Sequence, residues 1–324
     1  MAASLTSYRR RRAAAWAAGL LLVVPTVVGG CRLIGTDAVT PVPQLLALLP
    51  WLAVPAGLAL LLALPARRAP LTGWAAVVLA VTVWSVRPYG PEGTRAEGPV
   101  TAELRVLTAN VEFGGATEPL AAAVRRERPD LVFVSECDPH CAEALATGTG
   151  YRYGAHVAAA GSAGSVILGA RPLTARPALP GTTLGMPGAT ARLGGKDVTL
   201  QLAHPMPPLP GHTGTWKREL ARLSDFAAAH KGRSVILAGD FNATQDHAAF
   251  RSVLDSGALH DAARLAGAAR TGTWPQGARP VPPYAQIDHV LVSADFSVRG
   301  VRFLDLPRTD HRALLVDLDL RARP

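Results

Sequence analysis

The segment Ala238-Gly239-Asp240-Phe241-Asn242-Ala243 follows the apolar run that begins at Val235 and carries two polar side chains at its end. A second segment, Thr309-Asp310-His311-Arg312, places polar groups directly before the apolar residues that start at Ala313. Side chains at strand ends can converge on one rim while the strands hold them rigidly. The two segments therefore predict an α/β domain with a polar site at a rim of its strands.

Short apolar runs and helical stretches alternate from Thr101 onward. Leu104 to Asn110 alternates like a half-buried strand. Thr215 to His230 carries Trp216, Leu220, Leu223 and Phe226 at helical spacing, which indicates an amphipathic helix. In the last strand we expect one face to hold Leu314, Val316, Leu318 and Leu320. We also predict a helix over Ala121–Glu127 and strands over 131–134, 198–203, 235–238 and 287–292. This mixture indicates an α/β domain over residues 101–324.

The first hundred residues differ in composition: they hold four of the six Trp and none of the nine His. Three apolar runs lie there, Ala13–Gly30, Gln44–Leu64 and Leu71–Val86. A membrane-spanning helix needs about 20 mostly apolar residues. We therefore predict a membrane region over residues 1–86 with about three transmembrane helices, the third about one turn short.

Basic residues set the predicted orientation. Arg9 to Arg12 precede the first run, and Arg67 and Arg68 separate the second from the third, so both groups belong on the cytoplasmic side. Everything after Val86 then lies outside the cytoplasm. A lipoprotein cleavage site before Cys31 and an ordinary cleaved signal peptide are alternatives that give the same location. Residues 87–100, rich in Pro and Gly, read as a short tether.

The net charge of +9 invites a nucleic-acid interpretation. Residues 1–100 contain nine Lys and Arg against three acidic residues, whereas residues 101–324 contain 24 against 21. Most of the excess positive charge flanks the apolar runs, as expected for residues that orient membrane helices. This weakens the case for a dedicated DNA-binding face.

Six segments together resemble the endonuclease/exonuclease/phosphatase superfamily, which includes DNase-I-like nucleases, inositol polyphosphate phosphatases and neutral sphingomyelinases. They occur in the family's order: Leu107–Asn110, Pro129–Glu136, Leu202–His204, Gly239–Asn242, Ile287–Leu291 and Thr309–His311. The resemblance implies a four-layer sandwich of two mixed β-sheets flanked by helices. Two departures concern substrate contacts: Ser165–Leu173 lacks the family's usual Asn and Ser, and Gln286 stands where many members have Arg.

Within this set we assign metal ligands and catalytic groups. Hard divalent cations prefer oxygen ligands, so Glu136 is the first predicted ligand of Mg²⁺, or alternatively Mn²⁺, with Asn110 and Asp310 beside it. Asp240 would orient or deprotonate the attacking water, and Asn242 would hold that water and the phosphate.

The remaining roles fall to His311, Asp288 and His204. His311 would contact the phosphate or act as acid or base, with Asp288 fixing its tautomer. His204 would donate to a phosphate oxygen. His289 alternates to the opposite face of its strand and is left out.

The cysteines allow two interpretations. Cys137 and Cys141 flank His140, and an oxidising exterior would permit a disulfide between them. A zinc site with His140 is the alternative, although no fourth ligand is apparent.

The predicted function is that of a metal-dependent phosphoric-ester hydrolase anchored in the membrane. The arrangement resembles the VanJ type of actinobacterial teicoplanin-resistance membrane protein, which implies a lipid-linked (di)phosphate such as undecaprenyl diphosphate as substrate. An anchored extracellular nuclease is the first alternative; it would need a basic groove, for which Arg152, Arg171, Arg176 and Arg192 are candidates. A catalytically silent membrane sensing module is the second.

Overall fold

The structure is a computed structural model that describes residues 2–90, 96–277 and 280–322. The chain divides into two compact units. One comprises Met1–Arg87 with the segment Asp246–Ala248, and the other comprises Pro88–Gln245 with Ala249–Pro324.

The first unit is helical. Its helices are α1 (Ala2–Leu33), α2 (Val42–Ala47), α3 (Ala53–Ala66) and α4 (Ala69–Ser85). Small side chains such as Ala18, Ala59 and Ala75 form the contacts between α1, α3 and α4. The indole nitrogen of Trp74 donates to Thr26 Oγ1 at 3.1 Å, which links α4 to α1.

Two helical stretches are long and apolar enough to cross a membrane, Ser7–Leu33 and Leu49–Ala66. The second begins later than predicted, because Gln44 lies in the separate helix α2 and a 3₁₀ turn over Leu49–Leu52 contains Pro50. Proline lacks the N–H that a continuous helix would use there. Ala69–Ser85 is a shorter apolar helix. A signal sequence shares this composition, so the number of spans stays a prediction.

The second unit is the predicted α/β sandwich. Its strands are β1 (Val100–Asn110), β2 (Leu131–Ser135), β3 (Tyr153–Val157), β4 (Ser165–Gly169), β5 (Leu173–Arg176), β6 (Gly188–Leu193), β7 (Lys196–Ala203), β8 (Ser234–Asp240), β9 (His260–Asp261), β10 (Asp288–Val292), β11 (Phe296–Asp305) and β12 (Arg312–Arg321). Its helices are α5 (Thr117–Glu127), α6 (Pro139–Thr149), α7 (Thr213–Ala229), α8 (Ala248–Gly257) and α9 (Ala262–Leu265). In the described residues the strands form two six-stranded sheets, ordered β11-β12-β1-β2-β4-β3 and β5-β6-β7-β8-β10-β9.

Three apolar clusters hold the layers together. The first lies between the sheets and includes Phe133, Ile236 and Leu318. The second packs α5 and α6 on the first sheet, and the third packs α7 and α8 on the second. The last strand shows the predicted pattern, since Leu314 and Val316 face the space between the sheets. Leu315, on the opposite face, is also buried because helices cover that face.

The strand directions bring the predicted polar residues to one rim. β1 pairs in parallel with β2, and β7 pairs in parallel with β8, so each pair ends at the same edge. β10 and β12 run antiparallel to β8 and β1 and therefore begin at that edge. In this register Asp288 lies directly opposite Asp240.

Much of the described part of the predicted tether is bound to the α/β unit. The Tyr89 N–H donates to Gln245 Oε1 at 2.7 Å, and the Tyr89 hydroxyl binds Asp255. Farther along, the backbone of Pro99 accepts from Ala322 N. Residues 91–95 of the predicted tether lie outside the described residues.

Candidate active site

Asp240 closes β8 and is almost completely buried. Its Oδ1 accepts from Asn242 N at 2.8 Å, and its Oδ2 accepts from Asn110 Nδ2 at 3.1 Å. Asn242 has φ +48, so the chain turns directly after Asp240. Asparagine tolerates this left-handed conformation, and the turn is stabilised by the side chain of Asp240.

Asn110 joins two carboxylates at the end of β1. Its Nδ2 lies 3.1 Å from Glu136 Oε1 and 3.1 Å from Asp240 Oδ2, while its Oδ1 accepts from Glu112 N at 3.0 Å. Asn110 thus presents its amide nitrogen to the carboxylates. Its predicted role as an oxygen ligand would require the amide to turn.

Glu136 follows β2 in a left-handed conformation with φ +59. Its Oε2 accepts from Phe113 N at 3.1 Å, and its Oε1 lies 3.8 Å from His204 Nε2. Burial, together with the nearby charge of His311, lowers the pKa of His204 to about 3, so that imidazole is neutral. Among the described residues, Glu136 thus contacts the uncharged groups of Asn110, Phe113 and His204, and its partly exposed carboxylate (side chain 15% exposed) fits a cation.

His311 and Asp288 form a buried pair. His311 Nδ1 donates to Asp288 Oδ2 at 2.9 Å, which leaves Nε2 3.7 Å from Asp240 Oδ2. Burial lowers the pKa of His311, but the charges of Asp288 and Asp240 and the hydrogen bond outweigh it, so the pKa is raised overall. His311 is therefore an imidazolium at neutral pH, with Nε2–H facing the site.

The pKa of Asp240 is also raised. Burial raises its pKa to about 7, against the lowering effect of the His311 charge. Asp240, Asp288 and His311 bring one ligand-type atom each within 4.8 Å of one another. An imidazolium has no free lone pair for a metal, so this cluster is better suited to proton handling.

Asp310 lies in the turn before β12, with 42% of its side chain accessible. Its Oδ1 lies 3.6 Å from His311 Nε2, and its Oδ2 accepts from Trp274 Nε1 at 2.8 Å. The turn holds because Thr309 Oγ1 donates to Asn110 O at 2.8 Å and accepts from His311 N. This turn brings both Asp310 and His311 to the site.

The sequence did not identify the residues outside the six segments that hydrogen-bond to these site residues. Trp274 binds Asp310 from a distant loop, and Thr273 Oγ1 accepts from Asp288 N at 3.2 Å. A lone Thr-Trp pair carries no recognisable signal. The helix pattern of α7 did mark Trp216, whose Nε1 donates to Asn242 O at 3.1 Å.

Glu219 was also missed, although it lies on the predicted helix. Its buried carboxylate accepts from Thr183 N and from Met206 N, each at 2.7 Å. Met206 lies two residues after His204, and Pro205 O accepts from Asn242 Nδ2 at 3.0 Å. α7 thus holds the loop after β7 and the turn after β8 together.

His289 faces away from the site. Its Nδ1 lies 2.8 Å from Asp261 Oδ2, and its ring packs against Phe241 and Phe250. Cys137 and Cys141 are joined in a disulfide directly after Glu136, which favours the first of the two interpretations of this pair.

The fold is shared with several solved structures. Humanized D. rerio TDP2 with 14 mutations is 16% identical, with a TM-score of 0.54 over 67% of this chain and 98% of that one. D. rerio TDP2 complexed with a single-strand DNA product is 14% identical, with the same TM-score and coverage. The endonuclease/exonuclease/phosphatase of Beutenbergia cavernae is 20% identical, with a TM-score of 0.53 over 69% of this chain and 73% of that one.

A comparison with curated proteins finds no match. The family model described as the endonuclease/exonuclease/phosphatase family matches residues 107–311, which span every predicted site residue. The polar rim of the sandwich and this match lead to the same conclusion: the chain belongs to the endonuclease/exonuclease/phosphatase family.

Proposed function

We propose that the protein is a membrane-anchored phosphoric-ester hydrolase whose active site lies outside the cytoplasm and acts on lipid-linked phosphates or diphosphates. The family hydrolyses phosphoesters and depends on divalent metals. The observation that carries the proposal is the buried Asp240 facing the His311–Asp288 pair.

The proposed chemistry uses Asp240 as the base and His311 as the acid. Asp240, with its pKa near 7, accepts a proton from the attacking water. The imidazolium of His311 donates through Nε2 to a phosphoryl oxygen, and Asp288 fixes its tautomer through Nδ1. Neutral His204 places a second imidazole nitrogen beside Glu136. Asn242 fixes the orientation of Asp240 through its backbone N–H.

Glu136 and Asp310 are the proposed metal-holding residues. Both carboxylates are partly accessible, and Mg²⁺ is commonly held by one or two carboxylates while keeping several waters. Bound there, the ion would supply positive charge that stabilises the phosphoryl and leaving oxygens. Asn110 holds Glu136 and Asp240 in place from between them.

Exposed apolar side chains on the loops next to site residues in the sequence support a lipid substrate. Phe113, Leu209 and Val281 are between 48% and 66% exposed. Phe113 adjoins Glu136 through its backbone, Leu209 lies on the loop after His204, and Val281 lies on the loop between Trp274 and Asp288. Exposed large apolar residues on loops that carry a site favour an interaction with apolar ligands.

Two of the four basic candidates for a nuclease groove, Arg176 and Arg192, lie away from the rim. Arg176 donates to Thr199 Oγ1, five residues before His204 on β7, and Arg192 pairs with Asp197, seven residues before it. At about 3.3 Å per residue these contacts are roughly 16 and 23 Å from the rim. The single-strand DNA product in the D. rerio TDP2 structure keeps a nuclease as the second candidate.

The apolar helices of the first unit support anchoring, and the VanJ-type arrangement supports undecaprenyl diphosphate as the lipid and a role in glycopeptide resistance. A silent sensing module would have no need for the complete polar set found at the rim.

The test compares undecaprenyl diphosphate and plasmid DNA as substrates of the full chain with Mg²⁺. We expect phosphate release from the lipid. Asp240→Asn should lower kcat about 10²- to 10⁴-fold, the usual contribution of a general base. Asp197→Asn, an exposed acid-to-amide change far from the site, should leave kcat unchanged.

Nicked plasmid without phosphate release would make the protein an anchored nuclease. Full activity of Asp240→Asn on the lipid would overturn the assigned base. A chain that cleaves neither substrate with Mg²⁺ or Mn²⁺ would support the silent module.

A further inference from the structure

A basic cavity lies in the helical unit, between α1 and the turn that joins α3 to α4. Its volume is about 730 Å³. Residues that line it include Tyr8, Arg12, Trp16, Gly19, Arg67 and Arg68. It shares no residue with the candidate active site.

The sequence builds this cavity from two local features. On α1, Tyr8, Arg12, Ala15 and Gly19 follow at spacings of four, three and four residues, so they lie on one helix face. Opposite them, Arg67 ends α3 in the left-handed conformation, φ +53, and the extended Arg68 begins α4. A Cβ at Gly19 would meet nothing within 4 Å, so the space beside it is open.

The charges of the cavity are uncompensated. Within the described residues, no ion pair or side-chain hydrogen bond joins the guanidinium groups of Arg12, Arg67 and Arg68 to protein groups. The sequence has no Asp or Glu before Asp37. Three guanidinium groups around one cavity repel one another unless an anion lies between them. Guanidinium groups bind phosphate through paired N–H donors.

Two exposed aromatic side chains, Tyr8 and Trp16, border the same cavity. Tyr and Trp favour the headgroup level of a bilayer, where one end of the ring system is apolar and the other is wet. The adjoining surfaces of α1 and α4 expose apolar residues such as Leu20 and Val77, which acyl chains could cover. The cavity therefore combines a phosphate-binding end with an apolar continuation.

We propose that this cavity binds the phosphate of an anionic phospholipid in the cytoplasmic leaflet. The proposal rests on the membrane location given under the proposed function and is independent of the hydrolytic chemistry. Basic pockets between transmembrane helices on the cytoplasmic side bind anionic headgroups for the same physical reasons. The lipid would neutralise the three arginines and hold α1 against the turn between α3 and α4.

The test measures lipid retention by the full chain in a neutral detergent. Native mass spectrometry would compare phosphatidylglycerol with phosphatidylcholine of the same acyl chains, and glycerol 3-phosphate would serve as the acyl-free probe. We expect preferential retention of phosphatidylglycerol. The triple variant Arg12→Gln/Arg67→Gln/Arg68→Gln should weaken it about tenfold to a hundredfold, since each basic residue contributes several-fold.

Two further variants separate the cavity from general electrostatic attraction. Arg9→Gln/Arg10→Gln/Arg11→Gln removes the same charge from residues that do not line the cavity and should retain the preference. Gly19→Leu places a side chain in the open space without changing charge and should reduce retention of phosphatidylglycerol.

Equal weakening by both triple variants would overturn the proposal in favour of diffuse surface attraction. Equal retention of phosphatidylcholine would also overturn it, as would equally tight binding of glycerol 3-phosphate. Hydrolysis of bis(p-nitrophenyl) phosphate by the same preparations tests the proposed chemistry separately. If the full chain is found outside the membrane fraction, both the membrane anchoring and the lipid site are refuted, whereas the proposed hydrolytic activity is not.

Discussion

At the scale of single residues, the pKa values of Asp240 and His311 are both raised above their ordinary values. Burial raises the pKa of Asp240, and the carboxylates around His311 raise that of the imidazole despite burial. Strongly shifted pKa values are common among the acids and bases of active sites. Asp288 contributes to both shifts, since its charge raises both pKa values.

This arrangement predicts a bell-shaped dependence of kcat on pH. The base form of Asp240 is lost as pH falls through about 7, and the acid form of His311 is lost as pH rises through its raised pKa. Asp288→Asn removes a charge that raises both values, so both limbs should move to lower pH. The measurement is the pH–rate profile on a soluble diester, with Asp197→Asn as control. An alkaline limb that stays in place would show that Asp288 does not set the pKa of His311.

At the scale of elements, α7 positions the site without contributing a reacting group. Trp216 and Glu219 lie three residues apart, so they share the helix face that contacts the second sheet and its loops. Their partners, Asn242, Met206 and Thr183, lie on three different segments. The helix thereby holds the two segments that follow β7 and β8 in place.

We expect Glu219→Gln to lower the free energy of unfolding by about 1–3 kcal/mol. The amide has one acceptor oxygen for two partly buried N–H donors, so one donor loses its partner. Urea unfolding would measure the change, with the exposed Glu143→Gln on α6 as the matched control. Unchanged stability of Glu219→Gln would mean that the two N–H groups find water instead.

The disulfide beside Glu136 makes a separate contribution to stability. It closes a loop with a sequence separation of four, between the end of β2 and the first turn of α6. The chain-entropy relation gives about 2 kcal/mol for so short a loop. Cys137→Ala/Cys141→Ala should therefore lower the unfolding free energy by about that amount. Reduced wild type should lose the same amount, and a much larger loss in the variant alone would point to packing of the buried sulfurs.

At the scale of the whole molecule, the chain joins an apolar helical unit to a unit with its own three apolar clusters. All predicted site residues belong to the second unit. A chain that begins at Pro88 should therefore fold and hydrolyse a soluble diester as the full chain does. It should leave the membrane fraction and lose its advantage on a lipid presented in vesicles. Equal rates of both chains on vesicles would contradict the proposed role of anchoring.

The sequence by itself determined the strands β1, β2, β7, β8, β10 and β12 and the polar residues that stand at their ends. Alternation in Leu104–Asn110 and in Leu314–Leu320 is a local property, because each side chain's face follows from its position along the strand. The same local signal placed Asp240, Asp288 and His311 at strand boundaries. It also excluded His289 from the site, because alternation puts His289 on the opposite face of its strand. Helix α7 followed from spacing alone, within two residues at its start and one at its end.

Only the tertiary structure decided how these residues meet. Asp288 binds His311 across 23 residues, Trp274 binds Asp310 across 36, and Asn110 turns its amide nitrogen to Asp240 across 130. Such contacts depend on strand order and register, which local patterns leave open. The turn at Asn242 and the burial that moves the pKa of Asp240 arise in the same way. Strand ends follow from short stretches of sequence, whereas the hydrogen-bond partners and the burial of a side chain depend on segments far apart in the chain.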